Sequence, residues 1–385
     1  MKIVIVVEEF DPAKGYLEYY LARELARLGH KVYLFTFSEG SRIVREAFRE
    51  EKFEVIKIPY INVIDSYHIP CLKGVAYIIK FIKMEKPDII HCQPLFSPLS
   101  LIFIFFQRLA RYKIVGSLIT GEYSIDSITA KLKFILAKIL IENYIKNKVE
   151  LFFALNEGFK KILLNLFNIP PQKISIIPLG ADPELFKMNL ESRIEIRKML
   201  GISSDDIVIV YSGKIIPSKE LNLLIEALAL VIRRITKVKL LIIGKGDESY
   251  LRYLKELCKN LGVSEHVIFY PWVHRKVLPC LYSAGDIAVW PGAPSISIIE
   301  AASVGLPLII KRSPITEYAV AYNNGFMFER GNVEELHKYL EILICNDKLR
   351  REMGRNSRLL VEQRLNWKTI SLHYVREYMR VLYGT

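Results

Sequence analysis

Residues 206–246 read DIVIVYSGKIIPSKELNLLIEALALVIRRITKVKLLIIGKG. The opening DIVIVYSGK is apolar and β-branched and reads as a strand. ELNLLIEALALVIRRI is long enough for a helix, and VKLLIIGKG is the next strand. Strand, helix and strand make one β-α-β unit, the building block of a doubly wound parallel sheet. The chain opens the same way. KIVIVV is a strand, and Leu17, Tyr20, Leu21, Leu25 and Leu28 then fall at helical spacing until Gly29 stops the helix. KVYLFTF resumes as a strand.

Further strands are expected at PDIIHC, KIVGSLIT, LFFALN and ISIIPL in the first half. The second half adds the helix SYLRYLKELCKNLG and the strands HVIFYPW, DIAVW and LPLIIK. The halves meet near IIPLGADPELFKMN, which carries Gly and Pro without periodicity. This divides the chain into domains 1–178 and 179–365, followed by an amphipathic helix at 366–385. That helix has two readings: it closes the second core, or it crosses back to the first domain.

The length of 385 residues suits two cores better than one. The net charge of +13 implies attraction to anions without selecting a nucleotide, a lipid headgroup or nucleic acid. The charge is spread over both halves and no nucleic-acid motif is found, so nucleic acid is not an expected partner. Five scattered cysteines without a C-x-x-C pair read as reduced thiols of a cytoplasmic protein. The start MKIVIVVEEFD lacks the apolar run of a secretory signal. The run PLSLIFIFFQRLARYK meets Gln107 and Arg108 well before the roughly 18 residues a membrane span needs.

Chemistry concentrates in two loops. Gly213 ends a strand, and Lys214 and Lys219 follow, where open α/β sheets bind ligands. Two cations there suit a diphosphate, although each alone also reads as a solvated loop lysine. From Trp290 to Ile310 the lone charge is Glu300. Ser297 and Glu300 fit a capping box; the same helix start also offers amides and a dipole to an anion, with Glu300 accepting from a ribose diol beside it. His30, His68 and His274 lack metal-ligand spacing, and no metal is expected.

Together these stretches resemble family-4 (group 1) retaining glycosyltransferases of GT-B fold. GKIIPSKELNLLIEAL matches the family's G-[RK]-x-x-x-x-K segment. LLIIGKGDESYLRYLKEL matches its Gly-x-Gly turn, and IIEAASVGLPLII matches the helix bearing the second glutamate of its E-x7-E motif. LARELARLGHKVYLFT, KPDIIHCQP and IIPLGADPELF match in the first half. The resemblance implies two Rossmann-like domains facing across a cleft, the first on the acceptor side and the second holding a nucleotide-sugar donor, UDP- or GDP-linked. It implies sugar transfer with retention and without a metal or cofactor. Lys214 and Lys219 are then expected on the diphosphate, Glu300 on the ribose, and Ser295, Ile296 and Ser297 at the phosphates beside Gly213. Val273 is expected at the nucleobase, with Gly15 approaching the donor from the first domain.

Three positions depart from the family. Gly292 stands where the first motif glutamate falls, Thr120 where many members carry histidine, and Glu220 where glycine is usual. These departures keep a second reading open, a non-catalytic nucleotide-sugar binder. A GT-B nucleotide-sugar epimerase is a third. His91 reads either as a packed residue or as an acceptor-side group, with Glu122 the nearest acidic candidate there. Lys131, Lys133, Lys138, Lys146 and Lys148 surround an apolar helix face. That face either packs on the core or lies on an anionic membrane at the inner face of the cell membrane, where a glycan or lipid-linked acceptor would be met.

Overall fold

The computed structural model describes residues 1–13, 15–64, 67–117, 138–139 and 141–384, with the side chains of 63, 64, 67 and 142 also outside the description. The chain forms two compact units, Met1–Pro178 with Ile370–Thr385, and Leu179–Thr369.

The first unit contains β1 (Lys2–Val7), β2 (Lys31–Ser38), β3 (Val44–Phe48), β4 (Phe53–Ile64), β5 (Tyr67–Pro70), β6 (Ile89–Gln93), β7 (Lys113–Gly116), β8 (Val149–Ala154) and β9 (Ile174–Ile176). Their order is β3-β4-β2-β1-β6-β7-β8-β9, with β5 on β4. All pairs are parallel except β3–β4 and β4–β5. Strands covered on both faces favour apolar residues along their length, which is why β1 reads as a near-continuous apolar run. The Leu17–Arg27 helix buries Leu17, Tyr20, Leu21 and Leu25. Leu28, expected on that face, is instead the exposed C-cap, and Gly29 follows it at φ 85°.

β3, β4 and β5 have no counterpart in the sequence reading. β3 and β5 are too short to give a sustained apolar run, whereas β4, FEVIKIPYINVI, is mostly apolar, with Phe53, Val55, Ile56 and Ile58 buried, and was legible but missed. The second unit contains β10 (Ile207–Ser212), β11 (Val238–Ile243), β12 (Val267–Tyr270), β13 (Ile287–Trp290), β14 (Leu308–Lys311) and β15 (Gly325–Phe328). They run parallel in the order β12-β11-β10-β13-β14-β15. The expected strands of this half are present, and β15 adds an edge.

The helix Trp367–Tyr383 buries Trp367, Tyr374 and Tyr378 and leaves Tyr383 exposed. Residues from Ile370 onward belong to the first unit, where Tyr374 and Tyr378 are fully buried against His91 and Phe153. His91 Nδ1 and the Tyr378 hydroxyl share a 2.6 Å hydrogen bond. His91 is fully buried, so it serves this aromatic contact in the core, and burial pushes its pKa down to about 3. The imidazole is therefore neutral in the folded chain at ordinary pH.

Tyr378→Phe strands the buried Nδ1, which is expected to cost about 1–3 kcal/mol. Faster hydrogen exchange across residues 370–384 is the measurement. An unfolded histidine titrates near ~6.5. The folded pKa is depressed, so His91's contribution is complete above that value and is lost as pH falls from it toward about 3. Urea unfolding at stepped pH checks the sign, with His91→Phe expected to flatten that part of the slope.

Candidate functional site

The strand order of the second unit reverses between β10 and β13: β11 and β12 lie beyond β10, β14 and β15 beyond β13. Loops leaving the carboxyl ends of the two strands at such a reversal diverge and open a crevice. Here they are residues 213–220 after β10 and 291–296 after β13.

The first loop begins at Gly213, φ 151°, beside Gly244, φ 153°. A Cβ on Gly244 would stand 1.9 Å from the Gly213 carbonyl oxygen, so no side chain fits there. The Gly213 N–H donates to Ile243 O (3.0 Å) and the Ile215 N–H to Lys245 O (3.0 Å), fastening the loop to the 244–246 turn. Lys214 is exposed. A short turn, Pro217–Lys219, then leads into the Leu221–Ile232 helix through Glu220, whose φ of 51° is left-handed. That backbone explains the family's usual glycine at this position.

The second loop closes on the first. Ala293 N–H donates to Ser218 O (2.9 Å), and Lys219 Nζ donates to the carbonyls of Ala293 (2.8 Å) and Pro294 (2.9 Å). Gly292 is the tightest point: a Cβ would lie 2.4 Å from the Lys219 carbonyl carbon and 2.5 Å from Ser218 O. The missing motif glutamate therefore has a steric counterpart, since two backbones meet where its side chain would begin.

The capping box expected from Ser297 and Glu300 is not formed. The helix runs Ser297–Val304 with Ile296 as N-cap and no side-chain cap. The Ser297 hydroxyl instead donates to Ser212 O (2.9 Å) at the end of β10 and accepts from the Ser295 hydroxyl (2.8 Å). Trp290 Nε1 donates to the same Ser212 carbonyl (3.0 Å), so one oxygen at the end of β10 holds both the end of β13 and the start of the helix. Among the described residues, the amides of Ser295 and Ile296 have no hydrogen-bond partner in the chain.

Glu300, one turn into that helix, is only 2 % exposed and forms an ion pair with Arg275. Burial raises its pKa and the guanidinium opposes the rise. Arg275 also lies over the Phe186 ring, 5.2 Å from its centroid. It follows β12 in the loop that carries Val273, a half-buried residue packed on the core. Beside it Trp272 is 55 % exposed, with Lys245 Nζ 5.5 Å from the ring centroid. The sequence reading missed both Trp272 and Arg275; the signal available was an aromatic and a cation within the YPWVHRK run after a strand.

The structure thus gathers Gly213, Lys219, Ser295, Ile296 and Ser297 around two loops, with Lys214 exposed on the first loop and Glu300 just inside the following helix. Gly15 lies in the first unit, buried, at φ 56° before the Leu17–Arg27 helix. Glu122, Thr120, Lys131 and Lys133 lie outside the described residues.

Residues 192–360 match the family model for glycosyl transferases group 1, and residues 18–185 match that for glycosyltransferase family 4. An uncharacterized glycosyltransferase of Methanocaldococcus jannaschii is 24 % identical over 98 % of both chains. The alpha-monoglucosyldiacylglycerol synthase of Streptococcus pneumoniae is 25 % identical over 76 % of this chain and 66 % of its own. Among solved structures, Anabaena HepE in complex with UDP aligns with a TM-score of 0.78 at 18 % identity, covering 98 % of this chain and 99 % of that one. The fold is GT-B.

Gly292→Glu would restore the family's motif on paper. It is expected instead to push the two loops apart and cost about 1–3 kcal/mol, the usual range for an overpacked contact. A lower midpoint in thermal unfolding, shared by Gly292→Ala, is the measurement.

Proposed function

The chain belongs to the group 1, family 4 glycosyltransferases, and we propose that it moves a sugar from a nucleoside-diphosphate sugar to a glycan or lipid-linked acceptor, with retention and without a metal. The observation that carries the donor half is the pair of loops at the strand reversal. They put cationic side chains, two unpartnered amides and a helix N-terminus beside a buried carboxylate.

In this reading the donor diphosphate lies over the Ser295 and Ile296 amides, between Lys214 and Lys219. Ser297, whose hydroxyl ties the helix start to β10, fixes where those amides point. As the anomeric carbon–oxygen bond breaks, negative charge grows on the leaving diphosphate, and fixed N–H dipoles and ammonium groups stabilise it there. The acceptor hydroxyl bonds to the anomeric carbon from the face the phosphate leaves, and its proton passes to a phosphate oxygen. That path balances without a protein nucleophile, which suits a loop with glycine at position 292. Glu300 accepts from the ribose diol, Gly213 allows the loop to approach the phosphates, and Val273 borders the base.

The acceptor side rests on other support. The Streptococcus pneumoniae relative is by its name a glycolipid synthase. Among the described residues no helix is long and apolar enough to cross a membrane. Phe105 is 64 % and Ile139 51 % exposed, near in sequence to Arg108, Arg111 and Lys138, which fits contact with an anionic membrane surface. A protein that binds the nucleotide sugar without transferring it is the competing reading, favoured by the backbone contact at Gly292 that leaves no carboxylate in the loop.

Calorimetric titration with UDP, GDP and ADP decides the donor half. One diphosphate is expected to bind, and Glu300→Ala and Lys219→Ala to weaken it about tenfold or more, as for lost charge-assisted hydrogen bonds. No binding, or parent-like binding by both folded variants, overturns the assignment. Sugar transfer to lipid-linked acceptors, undiminished by EDTA, then separates the transferase from the binder.

A further inference from the structure

We propose that Arg275 is a positioning residue of the donor site, holding the Glu300 carboxylate ionised and oriented so that it can tell a ribose from a 2′-deoxyribose. The proposal rests on the reading that Glu300 takes the ribose.

The geometry is that of an anchored pair. Arg275 has a side chain only 10 % exposed, pressed on Phe186, and its guanidinium meets Oε1 of Glu300. The ion pair runs through Oε1, and among the described residues Oε2 makes no hydrogen bond and is left for a ligand. A neutral carboxyl in so buried a place loses acceptor capacity and its preference for a diol. Burial pulls Glu300 in that direction.

No other cation meets Glu300 among the described residues. From the Leu278–Ser283 helix the group facing it is Tyr282, a buried phenol whose pKa is raised well above its usual value, so it stays neutral. β13 brings only Ile287, Ala288, Val289 and Trp290. From the Asp347–Gln363 helix, Arg358 reaches the carbonyls of Pro183, Phe186 and Ser303 and the carboxylate of Glu362. On Arg275's own loop, His274 is exposed and its Nδ1 accepts from the Lys276 N–H (3.3 Å). Arg275 is therefore what opposes the desolvation of Glu300.

The test titrates the full chain with UDP against 2′-deoxy-UDP, and GDP against 2′-deoxy-GDP, from about pH 6.5 to about pH 8.5. The parent is expected to prefer the ribonucleotide about tenfold or more, as a hydrogen bond to a charged group would give, with little change over this window. Glu300→Gln abolishes the preference. Arg275→Gln is expected to lower it, and to lower it most at the acid end, where an unpaired buried carboxyl is more often neutral. Adding Arg275→Gln to Glu300→Gln changes nothing further. Arg275→Lys keeps the charge and is expected to retain at least about a third of the preference at every pH.

If the parent binds no nucleotide or ignores the 2′-hydroxyl, the ribose reading of Glu300 falls and this proposal falls with it. If Glu300→Gln loses the preference while folded Arg275→Gln keeps it across the pH range, the role of Arg275 alone is overturned. Should Arg275→Gln fail to fold by circular dichroism, Arg275→Lys decides: loss of the preference in folded lysine protein overturns the proposal.

Discussion

The 2.9 Å hydrogen bond from the Ala293 N–H to the Ser218 carbonyl is the contact on which the candidate site depends. It joins two loops that leave neighbouring strands at the reversal of the sheet, where the topology alone would let them spread. Because the backbones touch, position 292 has no room for a Cβ, Lys219 is turned onto the carbonyls beyond it, and the Ser297–Val304 helix starts where it does. A site assembled from backbone contact is rigid at low entropy cost, since few rotamers remain to be fixed when a ligand arrives. The departure from the family's motif is thus a change in how the loop is held as well as the loss of a carboxylate.

The second determinant is charge in a dry place. Arg275 and Glu300 are both almost wholly buried, and the desolvation of such a pair offsets much or all of its attraction. The pair is therefore weak evidence for stability. The buried His91 makes the contrast. It too has lost its solvent, but it is neutral, packed among Phe153, Tyr374 and Tyr378, and bonded to a phenol, so it contributes packing with no charge to neutralise.

The alternation of strand and helix was legible because a parallel sheet covered on both faces needs long apolar runs, and KIVIVV or DIVIVYS can hardly be anything else. Gly213 and the loop lysines stood out as flexible or polar residues after an apolar run, and Glu300 as the lone charge within one. What pattern alone could not supply was direction. The spacing of Ser297 and Glu300 fits a capping box as well as it fits the observed arrangement, and only the fold brings Ser212 and Arg275 close enough to draw the two side chains elsewhere. His91 at a strand end gave no sign that a helix from the far end of the sequence would cover it. β3, with two charges in its five residues VREAF, carries too little apolar signal to announce itself, whereas the apolar run of β4 was there to be read.

Glu220 shows how a residue can break a local rule and remain. A side chain in the left-handed region costs roughly 1–2 kcal/mol over glycine. The carboxylate lies 3.7 Å from Lys311 and 3.6 Å from Arg330. Arg330 is largely exposed, so that pair contributes little; Lys311 is mostly buried and its charge would otherwise be left with less company at the end of β14. The balance is close to zero for the fold as a whole. Its consequence is local: an acidic group directly follows Lys219 in the chain and draws a second lysine to the start of the Leu221–Ile232 helix. A negative charge at that helix start also suits the dipole, which rewards it by a few tenths of a kcal/mol up to about 1 kcal/mol. Strain at one backbone dihedral is thereby offset by two electrostatic terms, each too small to hold the residue alone, and the turn that presents Lys219 is kept without the glycine the family uses.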